Sequence, residues 1–78
     1  MNDKKNLSAD LMRIGEWFYQ GETALANQFL ERDIKLYGNQ GMKIGGLPAR
    51  DCLMIIKNLS GQKLKAAEKA WTAAAILI

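Results

Sequence analysis

The sequence predicts an all-α fold: a small bundle of four helices arranged as two helical hairpins joined by a Gly-rich loop. Three observations carry this expectation. Apolar residues recur at three- and four-residue spacing in four segments, the period of a helix with one buried face. Glycine punctuates the chain between them, at Gly21, Gly38 and Ser60-Gly61. The stretch GNQGMKIGG, from Gly38 to Gly46, holds four glycines in nine residues and divides the chain into halves of similar length.

Helix one is expected from about Ala9 to Gln20, with residues 1–7 a flexible tail. Ser8 reads as its N-cap, because a hydroxyl can accept an orphan backbone N–H of the first turn, and Leu7 and Met12 stand at the positions of a hydrophobic staple. Leu7, Leu11, Ile14 and Phe18 form the apolar stripe, flanked by Trp17, with Met12 and Tyr19 nearer the opposite side. Gly21 can end the helix in a left-handed conformation. Helix two is expected from Glu22 to Tyr37, with Glu31 and Lys35 as an i,i+4 ion pair. Its apolar half holds Leu25, Ala26, Phe29, Leu30, Ile34, Leu36 and Tyr37. Asp33 projects from the middle of that half.

Helix three is expected to begin at Leu47-Pro48, since proline suits the first helical position. Its apolar run, Cys52 to Ile56, is short and branched enough to admit a strand. Ser60 reads as the cap of helix four, with Leu59 and Leu64 as a second staple. Helix four, Gln62 to Ile78, carries Leu64, Ala67, Trp71, Ala74 and Ile78 in one stripe. Ala66, Ala70, Ala73 and Leu77 widen it beyond the roughly 100° that a surface helix needs to face a core. So wide an arc implies either a central helix or an intermolecular contact.

The chain is short enough for a single domain, 1–78, with a thin core, which makes self-association an expectation. An apolar fraction of 49% argues against disorder. The single cysteine allows no internal disulfide, and the absence of histidine removes the commonest general base and metal ligand. No apolar run approaches the roughly 20 residues of a membrane span, and the polar start is unlike a signal peptide, so a cytoplasmic protein is expected. Net charge is +3 but uneven. Residues 1–39 carry five basic and six acidic side chains, and residues 40–78 six and two.

Few residues invite a chemical role. Asp33 must be paired, protonated or at the rim of the fold, because an unpaired buried charge is very costly. A buried ion pair with Arg50, or with Arg13, is the functional expectation. Lys57, Lys63, Lys65 and Lys69 are candidates for anion contact. Residues 50–70 resemble a helix-turn-helix with Gly61 in the turn, but depart from its pattern. Lys57 stands where a small residue lets the helices cross, and no Asn, Gln and Arg cluster follows for base reading. The glycine loop lacks the Gly-Lys-Ser/Thr ending and preceding strand of a P-loop. Cys52 has nothing obvious to activate it and reads as a small buried hydrophobe. Asp10, Glu16, Glu22 and Glu31 fall on different faces with no metal-binding spacing. No catalytic residue, cofactor or metal is expected.

The functional expectation is a non-enzymatic protein–protein interaction module, a homodimer joined through helix four with Trp71, Ala74, Leu77 and Ile78 as anchors. The alternative is a small basic nucleic-acid-binding or regulatory protein using the four lysines.

Overall fold

The structure, a computed structural model, describes residues 3–77 and is all-helical apart from one minute hairpin. In chain order the elements are α1 (Asp3–Tyr19), α2 (Thr23–Tyr37), β1 (Lys43–Ile44), β2 (Leu47–Pro48), α3 (Ala49–Asn58) and α4 (Lys63–Leu77). No helix among the described residues is long and apolar enough to cross a membrane.

Helix α1 begins six residues earlier than expected, so the expected tail is helical from Asp3 onward. Met1 and Asn2 lie outside the described residues. The reason is visible in the stripe. Leu7 is buried with Leu11, Ile14 and Phe18 at helical spacing, so the first turn must precede it. Asp3 in that turn also suits the positive end of the helix macrodipole. Ser8 is therefore mid-helix. It caps nothing, and its Oγ donates instead to the backbone carbonyl of Ala74 at 2.8 Å, tying α1 to α4. The far end of α1 stops as its glycine implies. Gly21 has φ +85°, its N–H donates to Phe18 O, and Glu22 N–H donates to Trp17 O, the paired bonds of a Schellman motif.

Helices α1 and α4 form the principal packed pair, and they run antiparallel: Ser8 meets Ala74, while Gly15 and Tyr19 lie against Trp71. Small side chains let them approach. Ala67, Ala70 and Ala74 are fully buried, and at Gly15 the indole of Trp71 occupies the space a Cβ would need. On its other side α4 meets α3 and β1, where Ala73 and Ile76 line a crevice with Ile44 and Cys52. The wide apolar arc is thus largely consumed inside the monomer. Helix α2 packs between α1 and α3, with Trp17 and Phe29 in tilted ring contact at 4.6 Å between centroids.

The glycine-rich stretch is not a plain connector. Lys43 pairs with Pro48 and Ile44 with Leu47, antiparallel, around Gly45-Gly46. Both glycines have positive φ (+59° and +87°), the signature of a type I′ turn, whose twist matches that of the strands. Leu47-Pro48 is therefore strand, and Pro48 is the N-cap of α3 rather than its first helical residue. Residues 52–56 are helical. Gly46→Ala is expected to cost about 1 kcal/mol, because alanine resists positive φ; urea unfolding measures it, and an unchanged midpoint would show that the turn rearranges.

Two smaller expectations also change. The carbonyl of Gln62, not Ser60, accepts the first bond of α4, from Ala66 N–H, and Leu64 is exposed rather than stapled. Glu31 pairs across to Lys57 of α3, Nζ to Oε1 at 2.9 Å, and this lysine is what chiefly holds its carboxyl below the usual range. Lys35 adds only a weaker attraction. Both partners of the bridge are substantially exposed, so Lys57→Met should leave the urea midpoint almost unchanged.

Candidate interaction surface

Two features stand out from an otherwise ordinary helical core: a buried carboxylate cluster between α1 and α2, and an exposed apolar face shared by α1 and α4.

The first grows from Asp33, which is 0% exposed, as its place on the apolar half of α2 requires. Its recorded ionic neighbour is not Arg50, which is exposed, nor Arg13, but Arg32 beside it in sequence, Nε to Oδ1 at 3.6 Å. That is an ion-pair distance and too long for a hydrogen bond. Neither Asp33 oxygen accepts a hydrogen bond within the described residues. The arginines serve another carboxylate. Arg13 Nη2 donates to Asp10 Oδ1 at 2.8 Å and Arg32 Nη2 to Asp10 Oδ2 at 3.0 Å. Arg32 also lies over the Phe29 ring, 4.4 Å from its centroid.

Asp10, 6% exposed, thus faces Asp33 with both its oxygens occupied by guanidinium donors. Burial above all, then the adjoining Asp10 carboxylate, pushes the Asp33 carboxyl up to about 7 against a partial pull downward from Arg32. A protonated Asp33 carries one O–H that can donate toward Asp10, which would give a partner to one of its two oxygens. Nearby, burial and the negative charges of Asp10 and Asp33 push the Tyr37 hydroxyl up as well. Asp33 presents no surface to a substrate, and its setting between α1 and α2 is structural.

The second feature is external. On α1, Met12, Glu16 and Tyr19 share one stripe; on α4, Leu64, Glu68, Trp71 and Ala75 share another, by helical spacing. Trp71 joins them. Its Nε1 donates to Met12 O at 3.3 Å, and its ring lies 6.1 Å from that of Tyr19. Met12, Tyr19 and Leu64 are 49%, 56% and 57% exposed, and Trp71 is half-buried at the centre.

The expected interface anchors separate accordingly. Ala74 and Leu77 are buried in the monomer's own core, Trp71 reaches the surface, and Ile78 lies outside the described residues. The four lysines differ in their surroundings. Lys57 is taken by Glu31 and Lys69 lines the crevice beside Cys52, while Lys63 and Lys65 are exposed at the start of α4. That crevice, of about 100 Å³, has Cys52 at its wall. Burial pushes the thiol up despite Lys69 nearby, the opposite of an activated nucleophile.

Met12, Tyr19 and Leu64 were not expected at a surface site. The signal was present for Met12 and Tyr19, which fall nearer the polar side of their helix, where a large apolar residue asks for a reason, whereas Leu64 read as part of the apolar stripe of helix four. Compared with protein-family models, curated proteins and solved structures, the chain matches none.

Proposed function

We propose that the protein is a non-enzymatic protein–protein interaction module that docks a partner on the exposed α1/α4 face around Trp71. The observation that supports this is the continuity of Met12, Tyr19, Trp71 and Leu64 across two helices, because clustered exposed apolar residues mark docking sites whereas isolated ones do not. A half-buried tryptophan with an exposed aromatic neighbour is also a usual anchor of an interface. Burial of that face would drive association by about 25 cal/mol per Å² removed from water, less the costs of immobilisation.

Homodimerisation through Ala74 and Leu77 has less support, since the monomer already uses both. The nucleic-acid reading has less support too, with Lys57 neutralised by Glu31. We also read the bundle as two helical hairpins, α1–α2 and α3–α4, since each consecutive pair is in contact. One buried, unpaired thiol fits a reducing, cytoplasmic setting.

The test is copurification from the native host with Tyr19→Ser/Leu64→Ser beside Leu36→Ser/Met54→Ser, which alters exposed apolar residues on α2 and α3. Circular dichroism confirms folding of both. A partner retained by the control and lost from the α1/α4 variant is the expected result. Equal retention by both overturns the reading.

A further inference from the structure

The α1/α4 face is not simply apolar. Glu16 lies between Met12 and Tyr19 on its stripe, and Glu68 between Leu64 and Trp71 on the other. By helical spacing the two carboxylates stand on the same stripes as the apolar residues of the docking face, one on each helix. Both are exposed, and neither has an ion pair or hydrogen bond among the described residues. Lys69, next to Glu68 in sequence, lines the crevice with Cys52 on the other side of α4. Arg13 is committed to Asp10. Lys63 and Lys65 project about 100° to either side of Leu64, off the stripe. Lys5 continues the α1 stripe only at its far N-terminal end.

Two acids set among two aromatic rings and two aliphatic side chains describe the complement of a particular partner. A lysine or arginine placed over this face meets a carboxylate and an aromatic ring together, and each attracts a cation. An acidic or neutral partner would leave Glu16 and Glu68 desolvated without compensation, which is costly. The shape adds a further constraint. From Leu64 to Ala75 the stripe runs about 16 Å along α4, roughly three turns of helix. A partner helix laid along that stripe can set an apolar side of the same length on it.

Resting on the docking face proposed above, we infer that its occupant is a basic amphipathic helix from another protein, with Lys or Arg flanking an i, i+3, i+4, i+7 apolar stripe.

The test titrates the full chain into two labelled amphipathic peptides of about 15 residues, read by fluorescence anisotropy. They share one apolar stripe, and their flanking positions are lysine and arginine in one and glutamate in the other. At low salt the basic peptide is expected to bind about tenfold more tightly or better, an advantage that shrinks as salt rises. Glu16→Lys/Glu68→Lys is expected to reverse the order. Equal binding of both peptides, still lost in Tyr19→Ser/Leu64→Ser, overturns the basic partner and leaves the docking face standing. Binding of neither, with the chain monomeric by light scattering, overturns both. Binding of neither with a dimer dissociated by Tyr19→Ser/Leu64→Ser assigns the face to a second copy and also overturns the inference.

Discussion

Replacing Asp33 by asparagine is expected to flatten the pH dependence of folding stability and to make the protein more stable than the parent above neutral pH. The folded-state pKa of Asp33, about 7, lies above its ordinary value of 3.8. The native state therefore holds the proton more tightly than the unfolded chain, and stability falls wherever the unfolded chain has released it first. The contribution of the protonated carboxyl is full below about pH 4, declines with rising pH and is gone above about pH 7. At most roughly 4 kcal/mol is at stake, and less if water reaches the site on deprotonation. Asparagine keeps a donor toward Asp10 at every pH and carries no charge. Urea unfolding at about pH 5 and about pH 8 should show the parent losing a few kcal/mol and Asp33→Asn losing little. A parent as stable at the higher pH as at the lower contradicts a protonated Asp33.

Gly15→Val is expected to cost about 3 kcal/mol, chiefly through Trp71. The Cβ of any side chain at this position overlaps the indole, whose Nε1, Cδ1 and Cε2 are its nearest neighbours. The ring can swing outward, but only by surrendering its bond to Met12 O and its contact with Tyr19. Valine at a helical site formerly glycine is otherwise no worse than neutral in propensity, so nearly all the cost is steric. A double-mutant cycle isolates it. In a Trp71→Ala background the same glycine substitution should cost at least about 1 kcal/mol less. An identical cost in both backgrounds would place the strain in the α1 backbone rather than at the indole.

The helical periodicity of the chain was legible because the core stripes are aliphatic and uninterrupted: Leu7, Leu11, Ile14 and Phe18 on α1 are all fully buried. So was the left-handed stop at Gly21. The start of α1 was misplaced because Ser8 satisfies the local rule for a cap. Only the position of Ala74, distant in sequence, shows that its hydroxyl serves a tertiary bond. The hairpin was overlooked for a related reason. Gly-Gly flanked by Lys43-Ile44 and Leu47-Pro48 is a turn signal, but strands of two residues carry no alternation to support it.

Asp33 announced its burial by falling on the apolar side of α2, whereas its counterpart went unnoticed. Yet Asp10 stands at helical spacing from Ile14 and Trp17 and could have been placed opposite it. Arg50 was an attractive partner by charge alone. The structure instead sets Asp33 beside Arg32, with the adjoining Asp10 carboxylate held by Arg32 and Arg13. The width of the apolar arc on α4 could not by itself distinguish a central helix from an oligomer contact. Packing against α1 on one side and α3 with β1 on the other consumes most of it. What remains outside is the edge carrying Leu64, Trp71 and Ala75.

That edge, with Met12 and Tyr19, is where the functional proposal stands or falls. The most direct measurement is site-specific photo-crosslinking in the native host, with a benzophenone amino acid placed singly at Tyr19, Leu64, Leu36 or Met54. All four positions are exposed in the monomer, so each tolerates the probe. A discrete protein adduct from positions 19 and 64, and none from 36 and 54, is the expected result. Adducts from 36 or 54 alone, or none from any position, would contradict docking on the α1/α4 face.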